Sequence, residues 1–102
     1  MTILAGKLTE ESSVLNITVL HNPLNAQIVS YEETGTGQYI VTIDKDILNE
    51  NMPAKRYLSN NILTNYFVAS ISSNQFAVSC YDITGNHISG SLSNCEFQIE
   101  TY

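Results

Sequence analysis

The fold is decided by the stretch from Ala26 to Asp44, which reads AQIVSYEETGTGQYIVTID. Residues 26–33, before the central TGTG, read as a strand, and residues 38–44, after it, place apolar side chains at every second position of one face. Glycine adopts the positive φ that a tight reversal requires, so Thr34–Gly37 is predicted to be a turn. Segments 26–33 and 38–44 are therefore predicted to form a hairpin. One face of its second strand carries Tyr39, Val41 and Ile43.

The same alternation predicts further strands outside the hairpin. They cover residues 14–20, 66–70, 76–81, 87–92 (the weakest) and 95–99. Asn-, Ser-, Asp- and Gly-rich turns separate them, as expected for short antiparallel strands. About seven such strands predict one all-β domain over residues 1–102, an antiparallel β-sandwich of immunoglobulin-like or jelly-roll-like type. Residues 1–25 form an N-terminal strand region and are a candidate attachment segment.

Strand parity predicts which side chains fill the core. The predicted core residues are Ile17, Val19, Val41, Phe67, Phe76, Val78, Phe97 and Ile99. Cys80 and Cys95 share this inward parity. Two cysteines outside any CxxC pair are too few for a disulfide framework, so we predict two buried free thiols, with one disulfide as the alternative.

The alternation fades between Lys45 and Thr64, a stretch with Pro53 and several Asn residues. We interpret it as a long connection with one short helical turn near Ile47. Connections of this length in a compact domain are usually functional. Their apolar residues need cover from the sandwich or from another subunit. The predicted interface residues are Leu48, Met52, Tyr57, Leu58, Ile62 and Leu63.

The charge balance argues against polyanionic partners. The 102 residues carry a formal net charge of −6 and only four basic side chains. Phosphate backbones and anionic lipids are bound by clustered Lys and Arg, so we expect neither nucleic acid nor membrane as a partner. No apolar run approaches the ~20 residues of a spanning helix, and the first residues lack the pattern of a signal peptide.

The sequence contains no motif that indicates catalysis or a cofactor. The two histidines, His21 and His87, lie beside turn residues and outside any nucleophile motif or ligand spacing. Asp44, Asp46 and Glu50 form the best carboxylate group, yet a calcium loop needs more oxygen ligands and a glycine at its bend. We therefore predict a protein that is not an enzyme and has no metal or cofactor.

Several segments, taken in order, resemble the small β-sandwich modules of bacteriophage fibre and other virion proteins. The matching segments are Gly37–Ile43 (GQYIVTI), Asn65–Val68 (NYFV), Phe76–Gly85 (FAVSCYDITG) and Cys95–Ile99, where Cys95 replaces an aromatic residue. The resemblance covers about three-quarters of the chain. It departs from those modules in the longer connection between residues 45 and 64, and the first 25 residues have no counterpart.

This resemblance implies a non-enzymatic component of a virion. The expected protein is a small head-fibre, capsid-decoration or fibre-adaptor subunit of a bacteriophage. Its expected partners are further copies of itself, in a homo-oligomer, and other virion proteins such as capsid or fibre subunits. The alternative is a host-glycan-binding module of a tail fibre, in which exposed tyrosines stack on sugars.

Overall fold

A computed structural model describes residues 2–49, 52–56, 64–82, 84–89 and 92–100. All regular secondary structure in these residues is β. Seven strands have six residues or more, and one has two. The strands are β1 (Thr2–Glu11), β2 (Val14–His21), β3 (Ile28–Gly35), β4 (Gln38–Ile43), β5 (Lys55–Arg56), β6 (Thr64–Ser72), β7 (Gln75–Asp82) and β8 (Leu92–Glu100).

The strands form two antiparallel sheets that pack face to face, which confirms the predicted β-sandwich. One sheet has the order β2-β1-β8-β5 and the other has the order β3-β4-β7-β6. Hairpins join β1 to β2, β3 to β4, and β6 to β7 within a sheet. The remaining connections cross from one sheet to the other, so the core lies between the sheets.

The predicted hairpin is confirmed, with small shifts in its bounds. β3 begins at Ile28 rather than Ala26, and Tyr31 pairs with Val41 in the register of the hairpin. The reversal falls at Thr36 and Gly37, and Gly37 has the positive φ of 66° that glycine permits.

Five of the eight predicted core residues are fully buried: Val41, Phe76, Val78, Phe97 and Ile99. Ile17 is only partly buried. Val19 faces inward, opposite Gly6, but it lies in an outermost strand and remains 38% exposed. The prediction for Phe67 is wrong, because Phe67 is 43% exposed while Tyr66 is 2% exposed. Both faces of β6 carry apolar residues, so the sequence pattern does not show which face lies in the core.

The N-terminal region contains an inner strand that the alternation did not indicate. β1 lies between β2 and β8, so most of its length is buried. A β-bulge at Ile3 turns both Ile3 and Leu4 into the core, which breaks the period of two. Because β2 also belongs to this sheet, most of the predicted attachment segment is part of the sandwich itself.

Two smaller predictions are also corrected. No strand forms over residues 84–89; His87 makes a single bridge to Tyr81, and the next strand, β8, starts at Leu92. Residues 44–49 contain no helical turn near Ile47. The cysteine prediction is confirmed, because Cys80 and Cys95 form no disulfide and both are buried.

Candidate docking surface

Asp44 and Asp46, two members of the predicted carboxylate group, bond to different loop segments. Asp44 accepts a hydrogen bond from the backbone N–H of Gln27 at 2.7 Å. Asp46 accepts one from the hydroxyl of Ser73 at 3.0 Å. The two carboxylates thus bond to different elements, and Glu50 lies outside the described residues. No group of three or more His, Cys, Asp or Glu side chains in the described residues could hold a metal ion.

One polar cluster, missed by the sequence analysis, connects the two sheets inside the core. Glu10 of β1 has no exposed surface, and its Oε2 accepts hydrogen bonds from Tyr39 Oη and Ser89 Oγ, each at 2.6 Å. Burial, together with the bond to Glu10, raises the pKa of Tyr39 well above its ordinary 10.0. Tyr39 therefore keeps its proton and acts as a fixed donor to the carboxylate. Glu10 lies two residues after Leu8 on the same strand, so the two side chains face the same way; this spacing was the sequence signal that Glu10 faces inward.

One side of the sandwich is closed by residues 52–56, which we call the seam segment. Its first part bonds to β6: the N–H of Ala54 donates to the carbonyl of Val68, and that of Ser70 donates to the carbonyl of Met52. Its second part is β5, which pairs with β8 of the other sheet. The segment therefore passes from one sheet to the other and covers the edges of both.

The opposite side of the sandwich is open. β2 and β3 are the outermost strands of their sheets, and in the described part of the chain no strand pairs with their outer edges. They lie on the same side, because Tyr39 of β4 reaches Glu10 of β1 and Phe76 of β7 contacts Phe97 of β8. Unpaired edges are templates for added strands. We call residues 14–35, which comprise β2, β3 and the loop between them, the open side.

Exposed apolar side chains concentrate on the open side. Of the eight large apolar side chains that are exposed among the described residues, six lie between residues 14 and 31. These six are Val14 (48%), Val19 (38%), Leu20 (58%), Leu24 (37%), Val29 (63%) and Tyr31 (41%). This concentration of exposed apolar residues on one side makes the open side the candidate interaction surface.

The two strands of the open side differ in charge. β2 has no charged residue from Val14 to Leu20. β3 carries Glu32 and Glu33, and both are exposed. Acidic residues and a bulge, here at Val29, are common means of blocking edge pairing. β2 has a bulge at Leu20, near its end, and lacks the charges.

The predicted interface in the long connection is only partly described. Leu48 is 6% exposed and belongs to the core, so the sandwich itself covers it. Met52 is half-buried in the seam segment. Tyr57, Leu58, Ile62 and Leu63 lie outside the described residues. The open side was not singled out, although the uncharged run from Val14 to Leu20 was its sequence signal.

The described aromatic rings form no continuous platform. Tyr31 lies at the β3 edge and contacts Tyr39 edge-on, with 5.9 Å between ring centroids. Phe67 lies on the outer face of β6, at the opposite edge of the same sheet. Tyr81 stacks against His87 at 4.6 Å beside the loop of residues 84–89. Each ring thus faces a different part of the surface.

A shallow depression of about 190 Å³ lies beside the bulge of β2. Leu20 and His21 line it on one side, and Glu96 and Gln98 of β8 line it on the other. Sites for drug-sized ligands are usually ~300–1,000 Å³, so this volume does not indicate one.

Comparisons with protein-family models, curated proteins and solved structures found no match to this chain. The resemblance to phage virion modules therefore stays a prediction from sequence. None of the described segments is a helix long and apolar enough to cross a membrane.

Proposed function

We propose that this domain is a structural subunit of a bacteriophage particle, of the head-fibre, capsid-decoration or fibre-adaptor kind. It assembles through protein–protein contacts made by the open side. The observation that carries this proposal concerns the described residues: two strand edges without a paired strand coincide there with six of the eight exposed large apolar side chains.

The physical argument is the cost of leaving such a surface in water. An isolated domain usually protects both edges of a sandwich, since exposed edges promote association. Here the seam segment protects one side, and the other side has exposed apolar residues such as Val29 and Leu20. Burying apolar surface contributes ~25 cal/mol per Å², so a partner on the open side gains affinity from these side chains.

The electrostatics favour a protein partner over a polyanion. The chain has a net charge of −6, and β3 brings Glu32 and Glu33 to the open side. A surface of this sign repels phosphate. It suits a neighbouring virion subunit that offers an apolar strand flanked by basic residues.

The test is whether the protein purifies with particles. We expect tagged wild-type protein, produced in cells that assemble the phage, to band with the particles in a density gradient. Val29→Lys should reduce its incorporation at least tenfold. Ile71→Lys is the matched control, because Ile71 is also a β-branched residue at a bulge of an outermost strand, but lies away from the open side.

Wild-type protein found only outside the particle fraction would contradict the proposed function. Equal incorporation of the two variants would contradict the assignment to the open side.

Glycan binding is the second candidate, and Tyr31 is the observation that favours it. Tyr31 is 41% exposed and shares one face of β3 with the carboxylate of Glu33, two residues further along the strand. An exposed ring next to hydrogen-bond acceptors suits a sugar. Binding to a glycan array that is lost in Tyr31→Ala and retained in Phe67→Ala would favour this function.

A further inference from the structure

We propose that a second copy of this chain binds to the edge of β2. The two β2 strands pair antiparallel about a two-fold axis at Ile17, which joins two four-stranded sheets into one. This inference rests on the proposed function, because it assigns a partner to one strand of the open side.

The first argument is the absence of charge on this edge. β2 reads VLNITVL from Val14 to Leu20, and a second copy brings the same uncharged sequence. Pairing β3 with β3 would instead bring Glu32 and Glu33 of two copies onto neighbouring positions, where like charges repel. A second copy therefore fits β2 and is disfavoured at β3.

The second argument is that β2 is complementary to itself. An antiparallel pair centred on Ile17 places Ile17 against Ile17, Asn16 against Thr18 and Leu15 against Val19 of the second copy, and the bulge at Leu20 ends the regular pairing. Each apolar residue thus meets an apolar residue, and each polar residue meets a polar one. A two-fold interface requires this kind of self-matching surface.

In the neighbouring registers, apolar residues of one copy lie opposite polar residues of the other. Centring the pair on Asn16 places Val14 against Thr18, and centring it on Thr18 places Asn16 against Leu20. A shift by one residue would put inward-facing side chains opposite outward-facing ones. The side chains therefore select the register at Ile17.

The third argument is what this pairing covers. Leu15, Ile17 and Val19 face inward on β2, opposite the inward-facing residues of β1. Leu15 is buried, whereas Val19 is 38% exposed at the open end of the strand. In the dimer, Leu15 of the second copy lies against Val19. The side chain of Val19, which is partly exposed in one copy, is thereby covered by Leu15 of the other copy.

A cysteine at position 17 tests the register. Opposed Cα atoms of an antiparallel pair are ~4.5–5.5 Å apart, within the ~4.4–6.8 Å that a disulfide spans. With oxidised glutathione as the electron acceptor, we expect Ile17→Cys to form covalent dimers. The native thiols do not interfere, because Cys80 and Cys95 are 0% and 1% exposed.

Thr18→Cys is the matched control. In the proposed register Thr18 opposes Asn16, so the two cysteines of a Thr18→Cys dimer are two positions out of line and do not cross-link. A mixture of Asn16→Cys and Thr18→Cys chains should form the mixed disulfide. Cross-linking of Thr18→Cys alone, without that of Ile17→Cys, would overturn the register.

Lysine substitutions test the edge in solution. Asn16 and Thr18 are exposed, so Asn16→Lys/Thr18→Lys should fold normally and weaken dimerisation at least tenfold in sedimentation equilibrium. Ser30→Lys/Glu32→Lys makes the equivalent change on the β3 edge, where both residues are also exposed, and should leave the dimer intact. Equal loss in both variants would contradict the assignment to β2.

Wild-type protein that is monomeric yet bands with particles would overturn this inference and leave the proposed function standing. Dimers with the Ile17 cross-link that never band with particles would support the inference and overturn the proposed function.

Discussion

Substituting Tyr39 with Phe removes one hydrogen bond between the two sheets and keeps everything else. The Tyr39 hydroxyl donates to Oε2 of Glu10 at 2.6 Å, and the two residues are 1% and 0% exposed. The phenyl ring fills the same space, so no cavity arises from loss of the ring. The change isolates the contribution of one donor to a buried carboxylate.

The expected loss follows from the chemistry of that donor. Removing one partner of a buried hydrogen bond costs ~1–3 kcal/mol, because the remaining buried group has lost its solvation without regaining a full set of partners. For a domain of this size, each kcal/mol shifts the melting temperature by ~4–8 °C. Tyr39→Phe should therefore lower the free energy of unfolding by about 2 kcal/mol and the melting temperature by roughly 8–16 °C.

Urea unfolding at neutral pH measures this loss. Tyr31→Phe is the control, because Tyr31 contacts the same ring but is 41% exposed, and its change should stay within ~0.5 kcal/mol. Ser89→Ala should couple to Tyr39→Phe in a double-mutant cycle, since both hydroxyls bond to Oε2 of Glu10. If Tyr39→Phe and Tyr31→Phe lost the same stability, the reasoning on this cluster would be refuted.

Alkaline titration offers a second measurement on the same residue. Burial and the bond to Glu10 raise the pKa of Tyr39 above 10.0, so its protonated form is favoured in the folded state. This contribution to stability is fully present below the unfolded value and is lost as the pH rises towards the folded one. We expect phenolate absorbance from Tyr39 only when the protein unfolds, and that step should be one tyrosine smaller in Tyr39→Phe.

Three further substitutions have defined outcomes. Phe97→Ala removes a ring that is 1% exposed and contacts Phe76, so urea unfolding should show a loss of ~3–5 kcal/mol, and a loss below ~1 kcal/mol would contradict its burial. Gly37→Ala strains a residue with φ of 66° and places a Cβ 2.0 Å from the carbonyl oxygen of Ile88, so a thermal melt should show a loss above ~1–2 kcal/mol. Hydrogen bonds from Thr84, and then from Asn86, lower the pKa of Asp82 in the folded protein. The charged form therefore stabilises the fold above pH 3.8, and this contribution is lost as the pH falls through the lowered pKa. Melting temperatures measured across acidic pH should lose this part of their pH dependence in Asp82→Asn.

Local pattern was sufficient where one face of a strand is apolar and the other is polar. Such alternation predicted the inward faces of β4, β7 and β8 from the sequence. A glycine at Gly37 marked the reversal, because the turn needs a positive φ that other residues adopt at a cost. These features depend on contacts between neighbours in sequence, and the sequence contains them directly.

Only the tertiary structure decided which residues are buried in strands whose two faces both contact other parts of the chain. β1 is an inner strand with a bulge at Ile3, so its buried residues do not alternate. β6 is apolar on both faces, and Tyr66 is selected for the core because its hydroxyl donates to the carbonyl of Glu96. Periodicity measures only the contrast between two faces, and here that contrast is absent.

The candidate site depended still more on tertiary structure. The sequence contained the uncharged run of β2 and the acidic pair of β3, yet nothing in either run says which strand edges remain unpaired. That was decided by the seam segment, which covers β6 and β8 on one side and leaves β2 and β3 open on the other. An edge is free only by virtue of what the rest of the chain covers, so it is a property of the assembled sheets and not of any single strand.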